Sequence, residues 1–327
     1  MKNIVITGSL GHIGSRLIHS LLPGEFRRVL LVDNLLTQRY CSLFQLPTGV
    51  PFEFIEADIC DADLQSLFAG YDTVVHLAAI TNAAGSFKNT TEVERVNLSG
   101  TERVARACAK VNCRLIALST TSVYGVSSGV VDEDCPPEQL KPQSPYAESK
   151  LQSERLLAEL GCTESLKSII CRFGTIYGTS PGMRFHTAVN KFAWQACLGK
   201  PLTVWRVALD QQRPYLELGD AVRAIKLLLK TDDSSFDNSI YNVLTENATV
   251  REVVACIRRF VPDVVVEEVD SPIMNQLSYT VSSEKFRRRG FTSRGNLQTG
   301  IRETVEWLRG TRSGADFSLP GTTAAAS

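Results

Sequence analysis

Apolar runs separated by amphipathic stretches dominate the first half of the chain. Residues 3–8 (NIVITG), 28–33 (RVLLVD), 52–58 (FEFIEAD), 73–79 (TVVHLAA), 114–119 (RLIALS) and 168–173 (SIICRF) read as strands. Runs of this kind suit a parallel sheet buried on both faces. Between them, residues 11–22, 61–70, 92–111 and 144–160 repeat apolar positions at helical spacing. Strand and helix in alternation predict βαβ units and an α/β, doubly wound parallel sheet over residues 1–172.

The alternation loosens beyond Arg172. Residues 174–184 are rich in Gly, Thr, Ser and Pro and read as a loop. Helical patterns follow at 184–199, 218–230, 248–260 and 296–310, with short strands at 201–205, 239–243 and 263–269. This predicts a smaller mixed α/β lobe over residues 173–310 that interleaves with the first unit. The small, polar residues 311–327 predict a frayed, flexible tail.

Charge narrows the function classes. Lys+Arg and Asp+Glu both number 35, so no net field draws the chain to nucleic acid or an anionic membrane. No apolar run is long enough to span a bilayer, and the N-terminus shows no export signal. The nine cysteines are scattered without a C-x-x-C pair, which fits reduced thiols and a cytoplasmic location. The four histidines are far apart, and no metal site is expected.

Gly8, Gly11 and Gly14 space the turn TGSLGHIGS between the first strand and the first helix. Glycine permits the tight turn and lets backbone N–H groups approach a pyrophosphate at a helix N-terminus. Glycine-rich turns also arise for packing alone. Asp33, 19 residues beyond Gly14, ends the second strand where a dinucleotide fold places a carboxylate on the adenosine ribose. A carboxylate there repels a 2′-phosphate, favouring NAD, whereas nearby Arg39 leaves NADP open. Asp58, after the third strand, can meet the adenine edge with Ile59 adding its backbone, or can simply cap the next helix.

The segment SPYAESK carries Tyr146 and Lys150 four positions apart, on one face of a helix opened by Ser144 and Pro145. A free phenol has a pKa of about 10 and is a poor base at neutral pH. A neighbouring ammonium and a nicotinamide cation would lower it. Tyr146 could then take a proton from a sugar hydroxyl as hydride leaves the same carbon. Ser119, Thr120, Thr121 and Ser122 end the fifth strand at the sheet edge where ligands bind. Thr120 would bond the same sugar oxygen, and Lys150 would hold the nicotinamide ribose. A solvated helix start is the plain alternative for the Tyr–Lys pair alone.

The ordered set TGSLGHIGS, VDN, ADI, HLAA, VNLSGT, STTSVYG, SPYAESK, RFGTIYG and RPYLELGDAV resembles the extended short-chain dehydrogenase/reductase group, in its NAD-dependent epimerase/dehydratase family. The resemblance covers Met1 to about Trp307 and is closest to the UDP-sugar 4-epimerases. It implies a Rossmann-like NAD-binding domain over 1–172 and a nucleotide-sugar-binding lobe over 173–310. It also implies a homodimer formed through the segments 91–111 and 145–160. The cofactor residues it implies are Gly8, Gly11, His12, Ile13, Gly14, Asp33, Asn34, Asp58, Ile59, Leu77, Ala78, Ala79, Ser119, Tyr146 and Lys150. Catalysis falls to Thr120, Tyr146 and Lys150, and substrate contacts to Thr121, Thr175, Asn190 and Arg213.

Two features bear on the reaction. Family 4,6-dehydratases carry an Asp-Glu pair directly after the threonine, where this chain has Thr121 and Ser122. Nucleotide-sugar acid decarboxylases carry a Glu at the position of Ser122. Without those carboxylates, oxidation at carbon four, turning of the keto sugar and return of hydride remain, which is 4-epimerisation. A dehydrogenase that releases its reduced cofactor and a non-catalytic redox sensor are the alternatives. Thr175 replaces the family's usual asparagine, a feature shared with some uronic-acid epimerases. Arg213 matches the phosphate-binding arginine, whose forked donors suit a diphosphate.

Overall fold

The computed structural model describes residues 1–125, 129–270 and 278–311. The expected flexible tail falls almost wholly outside the described residues. In chain order the strands are β1 (Lys2–Thr7), β2 (Phe26–Asp33), β3 (Phe52–Glu56), β4 (Thr73–His76), β5 (Arg114–Thr120), β6 (Val130–Val131), β7 (Ser168–Phe173), β8 (Thr175–Tyr177), β9 (Leu202–Trp205), β10 (Gln212–Glu217), β11 (Ile240–Val243), β12 (Glu246–Thr249), β13 (Val266–Val269) and β14 (Thr280–Val281). The helices are α1 (His12–His19), α2 (Leu64–Phe68), α3 (Thr90–Glu94), α4 (Gly100–Val111), α5 (Pro145–Thr163), α6 (Ala188–Cys197), α7 (Leu218–Lys230), α8 (Val250–Arg258), α9 (Glu284–Arg287) and α10 (Leu297–Trp307).

Seven strands form one sheet in the order β11-β7-β5-β4-β1-β2-β3, and every pairing in it is parallel. The chain leaves β1 in one direction for β2 and returns to its other side for β4, so the switch point lies between β1 and β4. Ligands of open α/β sheets bind beyond the strand C-termini at such a point. Alternate residues of β1 face opposite sides. Ile4 and Ile6 join the core under α1 and α7, and Val5 joins the core under α2 and α4. Burial on both faces explains the unbroken apolar runs.

The smaller lobe has its own core, in which Val189, Phe192, Leu202, Val204, Tyr215, Val253, Ile257 and Ile301 pack together. Its sheet, β12-β10-β8, is built on β8, which directly follows β7. The chain then returns to the large sheet through α7 and β11, so the two units interleave.

Three local expectations need correction. The loop expected over 174–184 contains β8, whose partner Tyr215–Glu217 lies some forty positions on and is invisible to local pattern. The helix expected from Arg184 begins only at Ala188. The single helix expected over 92–111 is broken by a π-helical turn, Arg95–Ser99. That turn presents Asn97, whose amide accepts from Ile80 N (2.8 Å) and donates to Ile80 O (2.9 Å) and Ser149 Oγ (3.1 Å). Single π turns concentrate at functional sites. Here the turn ties the segment after β4 to α5.

Candidate active site

The glycine turn is shaped for close backbone approach. Gly8 has φ +66°, and a Cβ there would lie 2.5 Å from Ala78 N. At Gly14 a Cβ would lie 2.5 Å from Ser9 O. Any side chain would push the loop off β4 or the helix off the loop. No side chain caps α1 at Gly11, so its N-terminal amides remain for an anion. These features fit the pyrophosphate of a dinucleotide. His12 is buried, with Nε2 2.9 Å from Gly178 O, and burial pushes it down to about 3.

Asp33 sits at the edge beside this turn. Its carboxylate accepts from Leu10 N and Leu35 N, each at 3.0 Å, fixing the loop to the end of β2. Asn34 Nδ2 donates to Asp58 Oδ2 (3.1 Å), and Asp58 Oδ1 accepts from Cys60 N (2.8 Å). The Asp58 carboxyl is lowered: burial works against ionisation, but these hydrogen bonds and Arg95 outweigh it. The Ile59 side chain is buried beside Gly100, and its carbonyl accepts from Arg103. Asp33, Asn34, Asp58 and Ile59 thus group at one end of the crevice, away from the cavity described next.

A cavity of about 300 Å³ opens where the large sheet meets the smaller lobe. It gathers Ile13, Leu77, Ala79, Ser119, Thr120, Tyr146, Lys150, Thr175 and Arg213. Residues from β4, β5, α5, β8 and β10 therefore meet although they span most of the sequence. Ser144 caps α5 by accepting from Ala147 N at 3.2 Å, with Pro145 at the first helical position. This cap sets the phase that carries Tyr146 and Lys150 to the cavity together.

The electrostatics differ from expectation in one respect. The Tyr146 phenol is raised by burial, while Arg184 and a hydrogen bond with Thr120 act to lower it. Lys150 is 5% exposed, and burial brings it down to about 8 against the opposing pull of Glu154. For the phenol, desolvation outweighs Arg184 and Thr120, and the Lys150 ammonium, expected to lower it, is not among the groups that act on it. The cation that acts on Tyr146 is Arg184, which the pattern of α5 alone does not single out.

Several neighbours are not singled out by sequence pattern. Thr81, Asn82, Arg184, His186, Lys191, Trp205 and Tyr215 all line the cavity. From the segment 183–192, the sequence points to Asn190 as a substrate contact, and the structure corrects this. The Asn190 side chain is buried and is not among the cavity's lining residues; it donates to Arg184 O (3.0 Å) and accepts from Gly178 N (3.1 Å). It braces the loop, while its helix neighbours Ala188 and Lys191 line the cavity. Thr121 is likewise buried behind the cavity wall, with Oγ1 3.4 Å from Phe173 O and 3.5 Å from Tyr279 Oη. Arg213 Nη2 donates to Gln211 Oε1 (3.2 Å), whereas Arg213 Nε, Arg184 Nε and Tyr215 Oη are buried without partners among the described residues. Buried donors without partners, on residues that line a cavity, are a cost that a polar group drawn to them would relieve.

Among the described residues no group of three or more His, Cys, Asp or Glu is placed to hold a metal ion. No described helix is long and apolar enough to cross a membrane.

Comparison with known proteins gives a consistent picture. The model of the NAD dependent epimerase/dehydratase family matches residues 4–243. A trifunctional UDP-glucose 4,6-dehydratase/UDP-4-keto-6-deoxy-D-glucose 3,5-epimerase/UDP-4-keto-L-rhamnose-reductase of Arabidopsis thaliana is 30% identical over 325 residues, covering 94% of this chain and 47% of that protein. The chain thus spans about half the length of that relative and of two similar Arabidopsis proteins. The structure of UDP-glucuronic acid 4-epimerase from Bacillus cereus, in complex with UDP-glucuronic acid and NAD, superposes with TM-score 0.84 at 25% identity, covering 94% of this chain and 98% of that one. The Thermus thermophilus UDP-glucose 4-epimerase complex with NAD gives TM-score 0.81 at 28% identity, covering 94% and 99%.

Proposed function

This chain belongs to the NAD dependent epimerase/dehydratase family, and on that premise we propose that it is an NAD-dependent nucleotide-sugar 4-epimerase. Its substrate is a UDP-hexose or UDP-uronic acid, and it acts through a transient 4-keto sugar. One observation carries the choice among the family's reactions. The cavity gathers Thr120, Tyr146 and Lys150, yet no Asp or Glu is among its described lining residues. Water loss from carbons five and six needs a second acid and base, and this lining offers no carboxylate to serve. Solved epimerase complexes with NAD and UDP-sugars support the reading.

The glycine turn, the α1 N-terminus and Asp33 would hold NAD, and Leu77, Ala79 and Ser119 would flank its nicotinamide end. When bound, NAD supplies the acceptor and then the donor of the hydride at carbon four. The chain's own residues manage the proton. Tyr146 Oη takes it from the carbon-four hydroxyl and returns it, while Thr120 Oγ1 bonds the same sugar oxygen. Burial raises the phenol, so forming the phenolate calls for cationic help. Arg184 acts in that direction, and the cofactor's ring charge would add to it. Lys150 holds the nicotinamide ribose. Arg213 takes the diphosphate, with Thr175 beside it.

A homodimer through the segments 91–111 and 145–160 and a cytoplasmic location complete the proposal. Sedimentation at micromolar concentration tests the former, and localisation of the tagged full chain tests the latter.

The functional test is direct. The purified protein is incubated with UDP-glucose, UDP-galactose, UDP-glucuronic acid and UDP-galacturonic acid, and products are resolved by chromatography while reduced-nicotinamide absorbance is followed. The proposal expects a pair of carbon-four epimers reached from either side, with flat absorbance. A 4-keto-6-deoxy product, or stoichiometric growth of reduced cofactor, contradicts it.

A further inference from the structure

We infer that the sugar bound by this chain carries a carboxylate at carbon six and that Arg184 recognises it. The inference rests on the nucleotide-sugar reading above and narrows it to one substrate class. Its first support is charge balance. Four cationic side chains, Lys150, Arg184, Lys191 and Arg213, line the cavity with no carboxylate among the described lining residues. A nucleotide hexose brings negative charge only on its diphosphate.

The second support is position. Arg184 and Arg213 reach the cavity from different elements: Arg184 donates to Thr81 Oγ1 in the segment after β4, whereas Arg213 on β10 donates to Gln211 Oε1. Arg184 is also the cation that acts on the Tyr146 phenol. If Arg213 takes the diphosphate, Arg184 is left to the sugar, whose carbon four must meet the phenol. Carbon six is attached to carbon five, the ring neighbour of carbon four. A charged group there lies within a few bonds of the reacting oxygen.

The third support is that Arg184 is held ready but incompletely satisfied. Its Nη1 donates to Thr81 Oγ1, and its backbone carbonyl accepts from Asn190 Nδ2 at 3.0 Å. Its Nε is buried with no partner among the described residues. A partly buried guanidinium with an idle donor is costly until an anion arrives. A carboxylate, with two acceptor oxygens, matches the guanidinium fork.

The rival reading assigns Arg184 to the cofactor's diphosphate, because His12 and Arg39 also lie within its electrostatic reach. Calorimetric titration separates the two. The NAD-loaded Tyr146→Phe protein, in which neither sugar turns over, is titrated with UDP-glucuronic acid and UDP-glucose. The same titrations are repeated with Arg184→Met and Arg184→Lys added, and NAD retained through purification is measured by absorbance. A charge-assisted pair predicts a preference for UDP-glucuronic acid of about tenfold or more. Arg184→Met should erase that preference, Arg184→Lys should keep part of it, and NAD content should not change. No preference in the Arg184 protein, a preference that survives Arg184→Met, or loss of NAD in that variant overturns the inference. If neither UDP-sugar binds, the nucleotide-sugar reading itself is overturned. If Arg184→Met does not fold, the affinity ratio with Arg184 intact and with Arg184→Lys still decides.

Discussion

Arg172 on β7 and Glu154 on α5 form a buried ion pair, Nη2–Oε2 2.6 Å and Nε–Oε1 2.9 Å, with each side chain about 4% exposed or less. Ser119 Oγ and the Tyr124 hydroxyl complete the network. Glu154 lies one helical turn beyond Lys150 and is the group that raises its pKa. The pair therefore joins sheet, helix and catalytic lysine in one arrangement. Removing one partner strands the other charge in the core. Glu154→Gln is expected to cost about 3–5 kcal/mol in denaturant unfolding, and to move the Lys150 titration below its present value of about 8. A loss under about 1 kcal/mol would mean the pair is solvated in solution.

The glycine turn makes a second prediction. Gly8→Ala must place a methyl within 2.5 Å of Ala78 N at positive φ. Overpacking and backbone strain together should cost about 2–4 kcal/mol. NAD retained on purification should fall in parallel, because the loop can no longer lie against β4. Wild-type melting and full NAD content in this variant would show that the loop has another conformation.

The large sheet is legible in the sequence because its strands are buried on both faces and so carry unbroken apolar runs. Tyr146 and Lys150 are legible because a helix makes positions four apart neighbours. Strand β8 is not, since Thr175–Tyr177 is a strand only by pairing with Tyr215–Glu217. Arg184 is hidden for a related reason. It sits in an irregular stretch whose path is set by contacts such as Asn190 to Gly178 and Gly182 N to Ser15 Oγ, and no periodicity reports which side chain such a loop turns inward.

Buried His76 links stability to pH. Its Nδ1 is 2.8 Å from Thr7 Oγ1 and its Nε2 is 3.1 Å from Thr101 Oγ1, whose own proton is donated to Asn97 O. Nε2 therefore carries a proton, and burial, helped by the Lys150 charge, holds the ring's pKa at about 3, which leaves Nδ1 to accept from Thr7 near neutral pH. The unfolded chain binds a proton near pH 6.5 that the folded chain refuses. The stabilisation is complete above that pH and is lost as pH falls from 6.5 toward 3, by up to about 1.4 kcal/mol per unit. His76→Gln should flatten the stability profile between pH 6.5 and 4 by that slope. An unchanged slope in urea unfolding across this range would show that His76 protonates in the fold.

Thr120 combines two roles that substitution can separate. Its Oγ1 accepts from Ser122 N at 3.1 Å, capping the turn after β5, and it lines the cavity with Tyr146 and acts to lower that phenol. Thr120→Ala should cost about 1 kcal/mol of stability and lower kcat by about tenfold to a thousandfold. Thr120→Ser should restore most of both. Equal kcat in wild type and Thr120→Ala would remove the hydroxyl from the reaction.

Proton transfer through the Tyr146 phenol is the step on which the proposal depends, and one comparison tests it most directly. Epimerisation of UDP-glucuronic acid is timed for wild type and Tyr146→Phe at equal NAD content and equal melting temperature. The phenylalanine variant should bind the sugar nucleotide but interconvert the carbon-four epimers at least about a hundredfold more slowly, as expected when a positioned acid–base group is removed. Turnover at the wild-type rate in Tyr146→Phe would contradict the account.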